Sequence, residues 1–184
     1  GNNLKISLSP GAELHFQRIV GGKARTWRET SQGSGKKPWT YAYDNSVEIV
    51  GGTLEGKSTY DLDKSTTSPS GISPEDFKFY FRSSIIGGHG FLANNNSVYI
   101  SDAIVNNISK KYGIVGGRAY DGVNVTKNTL YGCSANSNLI YINNSVVGKE
   151  DTDGGINIYA ALSYGAATNN TAILQDSEFN GNVY

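Results

Sequence analysis

The sequence predicts an all-β fold: a right-handed single-stranded parallel β-helix, or β-solenoid, with a loop or capping insertion in its N-terminal half. Three observations predict it. A short strand-like phrase returns along the chain, and an aliphatic pair followed by a glycine pair returns between its copies. The intervals suit stacked windings in which no repeat buries its own apolar face alone.

The first phrase reads Asn45-Ser46-Val47-Glu48-Ile49, Asn96-Ser97-Val98-Tyr99-Ile100, Asn138-Leu139-Ile140-Tyr141-Ile142 and Asn170-Thr171-Ala172-Ile173-Leu174. Gly1-Asn2-Asn3-Leu4-Lys5-Ile6 is a looser copy. One or two polar residues precede apolar positions at i and i+2, the period of a strand with one buried face, and helical spacing does not fit. Val47, Ile49, Val98, Ile100, Ile140, Ile142 and Ile173 are therefore the expected core of the repeat. Aligned on Val47, Val98, Ile140 and Ala172, successive copies stand 51, 42 and 32 residues apart. At ~20–25 residues per winding, each repeat is expected to supply about two windings, with roughly seven to nine in all.

The second phrase reads Ile19-Val20-Gly21-Gly22, Ile49-Val50-Gly51-Gly52, Ile85-Ile86-Gly87-Gly88 and Ile114-Val115-Gly116-Gly117. Glycine serves positive φ and crowded backbones, so all four pairs are expected at sharp corners. Asparagine tolerates the left-handed region, and its side-chain amides stack in ladders. Asn95, Asn96, Asn143, Asn144, Asn169 and Asn170 read as such corner residues.

Residues 1–184 read as one domain, since this length buries a sizeable core without a metal or disulfide staple. Its 23 glycines exceed the ~7% average and demand a turn-rich fold. Pro38, Pro69 and Pro74 fall between copies, and residues 53–77 read as an insertion or long loop. Ser73-Pro74-Glu75-Asp76 supports at most one helical turn.

Sixteen Lys and Arg residues cancel sixteen Asp and Glu residues, which argues against nucleic acid, an anionic membrane or an acidic substrate as partner. Cys133 is the only cysteine, so an intrachain disulfide is excluded and a small buried thiol is expected. No segment offers the roughly 18 apolar residues of a membrane-spanning helix, and Gly1 begins no secretion signal. With methionine absent as well, the chain reads as an internal fragment of a longer product.

On these phrases the sequence resembles the β-helical passenger regions of bacterial autotransporters, whose repeats are similar to Asn-(Ser/Thr)-Val-x-Ile followed by Val-x-Gly-Gly. The resemblance covers most of residues 90–184 and, more loosely, residues 1–60. The uneven spacing and the polar segment from Lys23 to Pro38 depart from it. The resemblance implies secretion across the outer membrane through a C-terminal barrel, display at the cell surface, and a role in adhesion or aggregation. A host surface protein, a glycan or a further copy of the chain is then the partner, and the barrel is expected downstream of Tyr184.

Parallel β-helices also carry pectin-cleaving enzymes, and Gly88-His89-Gly90 matches an element of the polygalacturonase-like family. That chemistry needs a carboxylate acid and base, yet Phe77 to Gly87 contains no aspartate and Arg118 lacks a companion lysine. The plainer reading puts His89 after a glycine corner on a solvated edge. Asp151 and Asp153 suggest a calcium loop, but Leu162 stands where the closing glutamate would be, so a solvated loop is expected. Gly51 to Ser58 has phosphate-loop spacing without the helix that must follow. No cofactor, metal or enzymatic activity is expected. Tyr99 and Tyr141, each between two buried aliphatics, are the contact candidates: an outward tyrosine is a flat amphipathic surface, besides shielding the strand face as part of an aromatic ladder.

Overall fold

The computed structural model describes residues 1–24, 40–56, 83–108, 113–119, 133–149, 155–163 and 165–184. Among them the structure is all-β, without a helix, and every strand pairing is parallel.

The chain visits four sheets in a fixed order. β1 (Asn3–Ser7) enters the first sheet, β2 (Glu13–Phe16) the second, β3 (Arg18–Lys23) the third and β4 (Tyr41–Tyr43) the fourth. The circuit repeats with β5 (Ser46–Val50), β6 (Thr53–Gly56), β7 (Ser84–Gly90) and β8 (Leu92–Asn94). It repeats again with β9 (Ser97–Ser101), β10 (Ile104–Asn106) and β11 (Ile114–Ala119), where Ser134 bridges Leu92 in the fourth sheet. β12 (Leu139–Asn143), β13 (Val146–Val147) and β14 (Ile158–Ser163) follow, with Ala166 bridging Ser134. β15 (Thr171–Gln175) and β16 (Glu178–Phe179) complete the described layers, and Val183 bridges Ile158.

Each sequence repeat is one circuit, not two. Val47 pairs directly with Val98, Val98 with Ile140, and Ile140 with Ala172. The 51, 42 and 32 residues between them are therefore single circuits of unequal length, and the described residues form five layers in place of seven to nine. The excess length sits in the connections, because the stacked strands keep almost the same length from layer to layer.

Alternation along each strand sends one set of side chains inward. Leu4, Val47, Val98, Ile140 and Ala172 form one aliphatic column, and Ile6, Ile49, Ile100, Ile142 and Leu174 the next. The second sheet adds Leu54, Val105 and Val147, and the third Ile85, Ile114 and Ile158. Val47, Ile49, Val98, Ile100, Ile140 and Ile142 have no exposed surface. Burying each such side chain contributes about 1.5–3 kcal/mol, so these columns are the main cohesion of the stack. Ile173 departs from the sequence expectation: it is 42% exposed, because Ala172 and Leu174 take the inward positions of that strand.

Three of the four glycine pairs also depart from expectation. Gly51 and Gly52 do make a corner, with φ of 76° and 67°. Gly21 and Gly22, Gly87 and Gly88, and Gly116 and Gly117 instead lie inside β3, β7 and β11. Their reason is space rather than φ. A Cβ on Gly22, Gly88 or Gly117 would collide with the side-chain amide of Asn45, Asn96 or Asn138 respectively. A Cβ on Gly21, Gly87 or Gly116 would meet the carbonyl oxygen of Gly87, Gly116 or Ala160 in the neighbouring strand.

Those asparagines form the ladder that ties the layers together. The Nδ2 of Asn2 donates to the Oδ1 of Asn45 at 3.1 Å, Asn45 to Asn96 at 2.8 Å, Asn96 to Asn138 at 3.0 Å and Asn138 to Asn170 at 2.9 Å. Corners are supplied by the residue just before each rung, Asp44, Asn95, Ser137 and Asn169, with φ of 54–55°. A second corner uses Asp102, Asn144 and Asp176 with φ of 45–55°. Asn and Asp tolerate that region, which frees glycine for the crowded strands.

Of the residues 53–77 expected to form an insertion, the first four are strand. Thr53–Gly56 is β6, paired with β2 and β10; the rest of that stretch lies outside the described residues. Cys133 is buried beside Ala93, Ala119 and Ala135 in a small second cluster, as expected of a lone thiol.

Candidate contact face

The outward side of the first sheet is the residue set left when the aliphatic columns turn inward. Its central column runs Lys5, Glu48, Tyr99, Tyr141 and Ile173 through direct register partners. Asn3, Ser46, Ser97, Leu139 and Thr171 flank it on one side, and Ser7, Val50, Ser101, Asn143 and Gln175 on the other.

The column divides into two halves. In the first two layers Lys5 Nζ lies 2.8 Å from Glu48 Oε1, and these are the only charges on the face among the described residues. In the last three layers the column is aromatic and aliphatic. Tyr99 is 39% exposed, and its ring centroid lies 6.5 Å from that of Tyr141 with the planes tilted by 54°. A tilted pair at that distance gains about 0.5–1.5 kcal/mol beyond burial, so the rings hold one another in place. The Tyr141 hydroxyl donates to Gln175 Oε1 at 2.7 Å, which fixes the second ring from the next layer. Ile173 extends the strip, and Leu139 borders it.

In its last three layers this face is an uncharged strip with an apolar body and a hydroxyl and amide rim, a surface suited to contact with a partner. Among the described residues no group of three or more His, Cys, Asp or Glu side chains could hold a metal ion. Asp151 and Asp153 lie outside the described residues.

His89 is not on a solvated edge. It lies inside β7, 7% exposed, with Lys23 as its register partner on one side and Arg118, 3% exposed, on the other. The parallel register thus brings together a basic column, each member of which directly follows a Gly-Gly pair of the second phrase. The neighbouring columns hold Gly22, Gly88, Gly117 and Ala161 on one side and Gly90, Ala119 and Ser163 on the other, so they supply no carboxylate. His15 is exposed, and its Nε2 stands 3.1 Å from Glu13 Oε1. The two central strands of the third sheet, β7 and β11, are buried on both faces: Ile86 and Val115 alternate with core residues Ile85 and Ile114, yet none has exposed surface. The first sheet, by contrast, leaves its outward side open. The middle of the phosphate-loop spacing, Thr53–Gly56, is strand β6, and the residues after it lie outside the described residues.

Sequence reasoning missed three features here. Ile173 belongs to the outer strip, Asn45 and Asn138 are ladder rungs equal to Asn96 and Asn170, and Lys23 and Arg118 flank His89. Aligning the phrases on their asparagines would have found the second and on their glycine pairs the third; aligning them on Ala172 sets Ile173 level with Tyr99 and Tyr141, and the register bears that out. Comparison of the chain with protein-family models, with curated proteins and with solved structures found no match.

Proposed function

We propose that the chain is a right-handed single-stranded parallel β-helix of the autotransporter-passenger kind, displayed at the bacterial cell surface as a structural and adhesive module. The recurring circuit of four parallel sheets supports the winding, and the asparagine ladder and aliphatic columns supply its stiffness. One observation carries the adhesive reading: Tyr99 and Tyr141 stand side by side on the exposed face of a rigid sheet. Exposed apolar strips with a polar rim mark contact sites, and tyrosine is enriched at them because one end of the ring is apolar and the other wet. The partner is a host surface protein, a glycan or another copy of the chain, and anchoring is the work of a separate C-terminal barrel.

The test is binding of the purified chain to host cells and immobilised matrix proteins, compared with the Tyr99→Ser, Tyr141→Ser double variant. Saturable binding weakened at least tenfold by the double substitution supports the reading. Absence of binding, or binding indifferent to the tyrosines, rejects the strip as the contact site.

A second reading, a polysaccharide-degrading enzyme using His89, gains from the placement of Arg118 beside that histidine. Glycoside cleavage uses two carboxylates, and the two register partners of His89 are Lys23 and Arg118. Incubation with polygalacturonate and related polymers decides it: turnover that His89→Ala abolishes would rank it first.

A further inference from the structure

Asn95-Asn96-Ser97 and Asn169-Asn170-Thr171 are two copies of an Asn-x-Ser/Thr triplet, the acceptor signal for N-linked sugar. Three more begin at Asn107, Asn124 and Asn143. An asparagine-rich repeat produces such triplets by composition alone, and placement in the fold separates them. Asn95 and Asn169 occupy the same corner in different layers, each just before a ladder rung, each exposed and each with φ of 55°. Among the described residues neither of these side chains makes a hydrogen bond. The rungs beside them are committed: Asn96 Nδ2 donates to Asn138 Oδ1 at 3.0 Å and Asn170 Nδ2 to Ala135 O at 2.9 Å.

Strand alternation completes the signal. Val98 and Ala172 turn inward, so Ser97 and Thr171 lie on the outer side of the sheet. The amide that takes the sugar and the hydroxyl that a transferase reads are thus both outside, and the middle asparagine anchors the triplet. The other triplets are placed differently. Asn107 Nδ2 donates to Glu55 Oε2 at 2.7 Å, a charge-assisted bond that a sugar on that nitrogen would disturb. Asn143 is half-buried within β12, between Ser101 and Gln175. Asn124 lies outside the described residues. Spacing also suits a bulky group. The corner column runs Asp44, Asn95, Ser137, Asn169, and β12 lies between β9 and β15. Asn95 and Asn169 therefore fall on alternate layers, roughly 10 Å apart, with the small Ser137 between them. Sugars on every layer would stand at half that distance and crowd one another.

We propose that Asn95 and Asn169 are sites of N-linked glycosylation. In the transfer, Nδ2 forms a bond to the anomeric carbon of a sugar activated on a nucleotide or lipid phosphate. The sugar–phosphate C–O bond breaks, the phosphate departs with the electron pair, and one amide proton passes to a base of the transferase. The sugars then stand at the corner bordering the tyrosine face and leave the ladder and the aliphatic columns untouched.

Glycopeptide mapping by mass spectrometry, on the chain recovered from the cells that naturally make it, tests this. The expected result is sugar mass on the peptides bearing Asn95 and Asn169, and none on those bearing Asn107 or Asn143. Ser97→Ala should remove the sugar at Asn95 and keep that at Asn169, and Thr171→Ala should do the reverse. Both substitutions leave the backbone bonds of Ser97 to Asn45 O and of Thr171 to Asn138 O in place, and far-ultraviolet dichroism checks that the strands persist. Bare asparagines at either position, sugar on Asn107 or Asn143 in their stead, or sugar retained without the hydroxyl overturns the proposal. Mapping of the unaltered chain decides the matter even if a variant fails to fold, and it does so whatever the chain binds on host cells.

Discussion

Asn45 donates twice to one atom, the Oδ1 of Asn96, through its side-chain amide at 2.8 Å and its backbone N–H at 3.2 Å. Asn96 in turn donates to Asn138 Oδ1 and to Ala42 O, at 3.0 and 2.8 Å. Both asparagines are at least 95% buried, so neither could exchange these partners for water.

Asn96→Ala is expected to leave several buried donors and acceptors unmatched. Each such group costs about 1–3 kcal/mol, so the variant should lose ~3 kcal/mol or more. Asn170→Ala, in the partly buried last rung, should lose clearly less. Urea unfolding midpoints at constant m-value measure both. Equal losses would mean that the ladder's burial is not what makes it stabilising.

Gly88→Ala drives a methyl group into the Asn96 side chain and should cost about 1–3 kcal/mol by overpacking. Gly11→Ala meets nothing within 4 Å but sits at φ 78°, so it should cost about 1–2 kcal/mol from backbone strain alone. The discriminating measurement is a double-mutant cycle. Gly88→Ala should couple to Asn96→Ala, because removing the amide vacates the space, and Gly11→Ala should be additive with it.

Ile140→Ala removes a fully buried side chain from the centre of a column and is expected to cost about 2–5 kcal/mol. Ile173→Ala, on the outer strip, should stay within roughly 0.5–1 kcal/mol of the parent chain. Thermal or urea unfolding of the two variants side by side checks which isoleucine belongs to the interior.

Tyr99→Ser with Tyr141→Ser should cost the fold only the ring pair and its partial burial, roughly 1–3 kcal/mol, and leave the far-ultraviolet dichroism strand-dominated. Tyr141→Phe removes only the hydroxyl bond to Gln175 at an exposed site, an effect of about 0.5–1.5 kcal/mol at most. A collapse of the strand signal in either variant would reassign these tyrosines from contact to structure.

Local pattern made part of this legible. The i, i+2 alternation in Val47-Glu48-Ile49 and its copies determines that the phrase is a strand and which side chains share a face, because the pleat permits nothing else. Asparagine before each strand announces a left-handed corner, and Asn95, Asn144 and Asn169 occupy one, with φ of 55°, 45° and 55°. Ile173 was expected inside because Ala172, Ile173 and Leu174 are all apolar, although aligning the copies on Ala172 sets it level with Glu48, Tyr99 and Tyr141; its pairing with Tyr141 shows that it faces outward.

The sequence by itself determined that the chain is built from repeated short strands with aliphatic interiors and polar corners. Tertiary structure alone decided the length of a circuit, since 51, 42 and 32 residues all return to the same register once connections leave the stack. It alone decided why the glycines are there. Gly88, in β7, and Asn96, just before β9 of a different sheet, stand eight residues apart in the chain, and the need for a missing Cβ arises from their collision in space. Alternation is a property of one strand and can be read along it. Register and crowding are properties of pairs of strands, and they exist only when the layers are stacked.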